Sequence, residues 1–177
     1  TNQRSEWRLN FIKAIAMIRE GRIGTIRRIQ VNIHQGPSGG PFKKSAPPAS
    51  LDWDMWLGPA PKVDYIKQRC HSTFRWWYEY SGGMLTDWGA HHVDIAHWGL
   101  GMNDTGPTSI DATGTVPTIQ NGYNTVTDYR IECSCPNDVK MIISSANRNS
   151  IGVLFEGDKG RFFVNRGRVS GKPAEEL

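Results

Sequence analysis

No apolar run in this sequence approaches the ~20 residues that a membrane-spanning helix requires. The opening Thr1-Asn2-Gln3-Arg4-Ser5-Glu6 carries neither an initiator methionine nor the apolar core of a signal peptide, so it reads as the start of an excised piece of a longer protein. Cysteine is scarce. Cys70, Cys133 and Cys135 cannot all pair with one another, and Cys133-Ser134-Cys135 lies in an apolar, strand-like run without the second Cys/His pair that completes a zinc site. Reduced thiols in a cytoplasmic compartment are the expectation, with an exported or periplasmic parent as the alternative. Charge of one sign is lacking too: 21 Lys and Arg stand against 17 Asp and Glu. Only Arg22, Arg27 and Arg28 near the start and Arg161, Arg166 and Arg168 near the end cluster, so the basic face of a nucleic-acid-binding protein is missing.

What is present is a chain of 177 residues, 38% hydrophobic and 21% charged, with 19 Gly, 10 Pro and seven Trp. That composition excludes coiled coil, collagen and wholesale disorder. The length serves one domain with a real core and is too short for two full enzyme domains. Leu9, Ile12, Ile15 and Ala16 fall at helical spacing before Gly21, which predicts a helix from Ser5, as N-cap, to Glu20. Ile26 to His34 alternates as a half-buried strand, and the Gly/Pro/Ser-rich stretch from Gln35 to Ser50 reads as a long surface loop. Leu51 to Leu57 fits a short helix stopped by Gly58-Pro59, and Met84 to Leu100 a helix of about five turns closed by Gly101. Beyond it, period-two patterns mark strands over Thr108–Val116, Thr125–Cys135, Val139–Asn147, Gly152–Glu156 and Arg161–Asn165. Short connections predict antiparallel neighbours, and the whole reads as one α+β domain over 1–177, with helices packed on one face of an open, largely antiparallel sheet.

The chemistry gathers on the long helix. At ~100° per residue, Asp87, His91, Asp94 and Trp98 share a narrow stripe beside the apolar stripe of Met84, Leu85, Trp88, Ile95 and Ala96. An Asp one turn before a His can hydrogen-bond it and favour its protonated form, which suits a general acid/base near neutral pH. Gly82 and Gly83 permit close backbone approach at the helix start, and Phe74-Arg75-Trp76-Trp77-Tyr78-Glu79-Tyr80 leads into it as the wall of a pocket for a polyhydroxylated ligand. Against this stands a structural Asp/His brace. A metal reading, with Asp87, His91, His92 and Asp94 as ligands, is weakened because His91 and His92 point about 100° apart, and no spacing selects a third ligand from His34, His71 or Glu79.

Gly82-Gly83-x-x-x-Asp87-x-x-x-His91-x-x-Asp94 followed by Trp98 resembles the active-site helix of the glucose-fructose oxidoreductase / inositol dehydrogenase / rhizopine catabolism (Gfo/Idh/MocA) family of nicotinamide-dependent oxidoreductases. The likeness extends to Asn2-Gln3-Arg4-Ser5 with the helix up to Gly24, to Trp56-Leu57-Gly58-Pro59-Ala60-Pro61, and to Phe155-Glu156-Gly157-x-x-Gly160, landmarks of a bacterial branch. It implies the C-terminal substrate domain of an enzyme whose separate Rossmann domain binds NAD or NADP, acting on a sugar, polyol or related substrate, with the sheet face forming a homo-oligomer contact. It also implies that His91 is the catalytic acid/base and Asp87 its companion at the substrate. Arg4, near the domain junction, joins Arg75, Trp76, Trp77 and Asp94 as the substrate-binding set. A non-catalytic carbohydrate-binding or assembly module with the same fold is the alternative.

The departures are informative. No Gly-x-Gly-x-x-Gly lies between a strand and a helix, and Gly99-Leu100-Gly101 follows a helix and lacks the third glycine. The family's Glu-Lys-Pro motif is missing, Lys172-Pro173 has the wrong context, and the chain stops at Leu177, before the family's final helices. Without a phosphate-cradling glycine loop, the chain alone is expected to bind neither NAD(H) nor NADP(H). Titration calorimetry with each cofactor checks this, and micromolar binding would contradict it.

Overall fold

Residues 1–5, 9–146 and 150–172 are described by the computed structural model. The first helix is shorter than its pattern predicts. α1 spans Asn10–Arg19 and starts from Leu9 in the left-handed region at φ 61°, while Asn2–Arg4 form a separate 3₁₀ turn that Ser5 closes. Ser5 therefore caps nothing in α1; its hydroxyl donates back to the Asn2 carbonyl. The buried side of α1 is Phe11, Ala14, Ile15 and Met17, and Leu9, Ile12 and Ala16 face outward. Gly21, at φ 70°, ends the helix as expected.

The short helix is α2, Trp53–Leu57, capped by the Asp52 side chain, which accepts from the Met55 N–H at 3.0 Å. The long helix is α3, Gly83–Leu100. Seven strands build one sheet: β1 Ile26–His34, β2 Ser109–Thr115, β3 Asp128–Cys135, β4 Val139–Ala146, β5 Gly152–Gly157, β6 Arg161–Val164 and β7 Val169–Lys172. Of these, β7, built around Gly171, is the one that the sequence pattern does not predict.

The strand order is β2-β3-β4-β1-β5-β6-β7. β3–β4 and β5–β6 are antiparallel neighbours, as their short turns dictate. β4 and β5, however, are not paired with each other as sequence order predicts. β1, from the start of the chain, lies between them, parallel to β4 and antiparallel to β5. Its alternating sequence supplies the reason: Ile29, Val31 and Ile33 are fully buried on one face, so β1 fills a central position that an edge strand would waste.

α1 and α3 lie over that face, against Met141 and Ile143 of β4, Val153 and Phe155 of β5, and Phe162 and Val164 of β6. The opposite face carries Arg28, Gln30 and Asn32 of β1 beside Lys140, Ile142 and Ser144 of β4. There Gln30 Nε2 donates to Asn32 Oδ1 and to Ser144 Oγ, both at 3.0 Å. Gly99 sets how closely α3 sits. A Cβ at this position would lie 2.5 Å from the Phe155 ring. Gly99→Ala should therefore destabilise the fold by about 1–3 kcal/mol through overpacking, read from the denaturant midpoint at unchanged m-value.

Candidate functional site

α3 begins with Gly83 at φ 70°, where a Cβ would come within 2.5 Å of Thr125 Oγ1. The close approach that the Gly82-Gly83 pair permits is thus made by the protein itself. With its start pinned, the helix turns His92, Ile95 and Ala96 into the core and leaves Asp87, His91, Asp94 and Trp98 partly exposed on the other side.

The stripe is organised differently from the expected Asp87–His91 pair. Asp87 Oδ2 accepts from Arg75 Nη1 at 2.8 Å. A permanently charged guanidinium is a better partner for a carboxylate than a neutral imidazole, so Arg75 takes the position that spacing alone offers to His91. His91 is left without a hydrogen bond among the described residues, and its Nδ1 is buried without an acceptor or donor. One turn further on, Asp94 accepts from Arg4 at both oxygens, Nη2 to Oδ1 at 2.8 Å and Nε to Oδ2 at 3.0 Å, and also from the Thr1 hydroxyl at 3.0 Å. Burial pushes the Asp94 carboxyl up, but the hydrogen bonds from Arg4 and from the Thr1 hydroxyl outweigh it and hold the carboxyl below the usual carboxylate range. Arg4 lies over the Trp98 ring, 5.2 Å from its centroid. His91 consequently sits between two ion pairs, Arg75–Asp87 and Arg4–Asp94.

The aromatic run divides. Trp76 is partly exposed, with the Arg75 guanidinium 5.7 Å from its ring centroid. Trp77 is not a pocket wall: it is 1% exposed, its indole N–H donates to the Gln68 carbonyl at 2.9 Å, and Arg69 covers its ring at 3.9 Å. A large ring beside an internal guanidinium is a core anchor, and it has no free face to offer a ligand.

His92 shows the other side of the helix. It is 1% exposed, stacked on Trp88 at 5.8 Å, with Nδ1 3.2 Å from the Trp88 carbonyl. Burial lowers its pKa to about 4. Of the other metal-ligand candidates, Glu79 is held by Arg69 and Asn124, and His34 packs edge-on against Trp88 at 4.7 Å. No group of three or more His, Cys, Asp or Glu could hold one ion among the described residues. Cys70, Cys133 and Cys135 are free and buried, and burial raises each thiol pKa. No helix among the described residues is long and apolar enough to cross a membrane.

Two groups near the site have no local sequence signal. Arg166, whose guanidinium lies 4.2 Å from the Trp88 ring centroid, donates from Nε to Gln3 Oε1 at 2.8 Å across nearly the whole chain. Arg69, Glu79 and Asn124 form the second, joining the segment before α3 to the loop before β3.

A family model described as "Oxidoreductase family, C-terminal alpha/beta domain" matches residues 38–171, and the chain belongs to that family, Gfo/Idh/MocA. Its fold is that of several solved structures. An oxidoreductase from Thermotoga maritima is 16% identical, with a TM-score of 0.56 over 92% of this chain and 41% of its own. The WlbA dehydrogenase from Bordetella pertussis, in complex with NADH and UDP-GlcNAcA, is 16% identical, with a TM-score of 0.55 over 95% of this chain and 43% of its own. An aldose-aldose oxidoreductase from Caulobacter crescentus, complexed with glycerol, is 14% identical, with a TM-score of 0.58 over 97% of this chain and 46% of its own. The chain thus spans less than half the length of these structures, and at such identities the likeness is one of fold. Comparison with curated proteins returns no match.

Neutral burial of His92 makes stability depend on pH. Its folded pKa of about 4 lies below the ordinary 6.5, so the unfolded chain takes up the proton first as pH falls. The contribution is full above pH 6.5, is lost progressively down to pH 4 and is then constant, an effect on the order of 3 kcal/mol. His97, also lowered by burial, adds in the same direction, whereas Asp94 acts at lower pH. Denaturant unfolding at pH 7, pH 5.5 and pH 4 should show this decline, and His92→Asn should flatten most of it. An unchanged slope in the variant would assign the titration to another group.

Proposed function

We propose that this chain is the substrate-binding domain of an NAD(P)-dependent oxidoreductase acting on a sugar, polyol or related hydroxyl/carbonyl compound. The observation that carries the reading is His91: a partly exposed imidazole with no protein partner, its Nδ1 buried, set between two ion pairs on the helix that bears the family's motif. The complexes of related folds with UDP-GlcNAcA and with glycerol support the substrate class. Nothing in these residues fits a dinucleotide, since the strand–glycine loop–helix cradle is missing from the sequence. The cofactor belongs to a separate Rossmann domain of the parent protein, where nicotinamide supplies hydride acceptance.

In this reading His91 takes the substrate hydroxyl proton on Nε2, the nitrogen left once Nδ1 is buried, and returns it in the reverse direction. Asp87 accepts a hydrogen bond from a neighbouring hydroxyl and orients the reacting carbon. Arg75 pairs with Asp87 and, with Trp76, borders the ligand. Asp94 acts through Arg4, fixing the first residues of the chain against the end of the stripe. The polar face of the sheet, opposite α1 and α3, is the surface through which copies associate.

The test uses the protein in which this domain is joined to its dinucleotide-binding domain. His91→Ala should lower kcat by roughly two to four orders of magnitude, with the melting temperature little changed because the side chain is not in the core. Asp87→Asn should raise KM and lower kcat together. Normal turnover by His91→Ala would remove the mechanism and leave a carbohydrate-binding or assembly role.

A further inference from the structure

β2 and β7 are the two edges of the sheet, and the fold treats them differently. β7 is four residues long, carries Gly171 at φ 111° and ends on Lys172, features that discourage another strand from adding to it. β2 has seven residues, Ser109–Thr115, all of them exposed, and it pairs with β3 without a register shift. It contains no Lys, no Pro and no bulge, and Asp111 is its one charge. On an edge strand alternate backbone N–H and C=O groups point away from the sheet, so β2 is a template for one more strand.

Its side chains select which strand. On the face that α1 and α3 cover elsewhere, Ile110, Ala112 and Gly114 stand opposite Cys133, Ile131 and Tyr129 of β3. The core takes in those β3 residues and stops short of β2, where Ile110 is 64% exposed. On the other face Asp111 stands opposite Glu132, an unfavourable pair of like charges, while Thr113 stands opposite Arg130. Ala112 is the middle residue of the strand. Turned antiparallel about Ala112, a second β2 matches all seven residues. Each Ile110 then lies opposite the partner's Gly114, which has no side chain, and reaches the partner's Val126, whose Cγ2 is 2.9 Å from where a Cβ on that glycine would lie. Each Asp111 lies opposite the partner's Thr113 with the partner's Arg130 one strand beyond, which brings a cation towards the carboxylate. Arg130 is bound to Glu132 in its own sheet, but the two side chains are 52% and 58% exposed, and so weak a pair can share its guanidinium. Pairing β2 with β7 would instead run head to tail into open arrays.

We propose that β2 pairs with β2 of a second copy of this chain, antiparallel about a two-fold axis at Ala112, joining two seven-stranded sheets into one. The contact is isologous and closes on two copies. It is independent of His91 and of association through the polar face of the sheet.

Sedimentation velocity and mild oxidation of cysteine variants test it. One strand pair buries less than the roughly 1,600 Å² of a standard stable complex, so a concentration-dependent association step in the micromolar range is expected. Ala112→Cys sets two thiols across the axis, with Cα atoms about 4.5–5.5 Å apart, and should give a disulfide-linked dimer. Thr115→Cys, about 20 Å from its mate at ~3.4 Å per residue, should not. Cys70, Cys133 and Cys135 are buried and leave the comparison clear. Ile110→Lys should weaken the association about tenfold or more, since the two-fold axis makes each change count twice. Asp111→Lys should weaken it comparably while leaving the fold at least as stable, because it removes the repulsion from Glu132, and adding Arg130→Glu should restore it. No association at about 200 µM, equal cross-linking at positions 112 and 115, or an association that Ile110→Lys leaves unchanged overturns the inference.

Discussion

The seat of α3 on the sheet is the constraint on which the rest of this structure depends. Gly99 must meet the Phe155 ring and Gly83 must pass beside Thr125, so the helix is fixed at both ends. A helix held at both ends has one rotation about its own axis, and here that rotation buries His92, Ile95 and Ala96. At ~100° per residue the neighbouring His91 must then leave the core. Two adjacent histidines acquire opposite chemistry from one rotation: the first partly exposed and without a partner, the second buried, stacked on Trp88 and lowered to about 4.

Much of this was legible in the sequence because periodicity reports burial. β1 matches its alternating run residue for residue, and α3 starts one residue before its pattern does. Misreadings fall where one local signal serves two geometries. Ser5 resembles an N-cap, yet it closes a 3₁₀ turn, and the helix begins instead from a left-handed Leu9. The insertion of β1 between β4 and β5 cannot be read from turn lengths, because it depends on a strand far away in the chain.

The candidate site was legible as a stripe but not as a set of partners. Spacing places Asp87 within reach of His91, and it says nothing of Arg75, which arrives from the 3₁₀ helix His71–Trp76 and takes the carboxylate. Trp77 illustrates the same limit. In an aromatic run, sequence cannot tell the ring that lies inside from the ring that lies at the surface, and here Trp77 goes in and Trp76 stays partly out. Arg69 decides it, since its guanidinium requires a ring to cover it as it leaves solvent.

The two carboxylates beside His91 are not equivalent in how they are held. Asp94 is gripped at both oxygens by Arg4, which holds its carboxyl below the usual carboxylate range, so it stays ionised and bound across the whole physiological range. Displacing it would break two charge-assisted bonds at once, each stronger than a neutral hydrogen bond. Asp87 has one bond, from Arg75, and the two side chains are 29% and 36% exposed. Exposed pairs of this kind contribute about 0–1 kcal/mol, so a ligand hydroxyl can enter beside the guanidinium at little cost. Of two acids one turn to either side of the histidine, the fold commits Asp94 to the scaffold and leaves Asp87 in a pair that can exchange partners, which is the property that the proposed substrate contact needs.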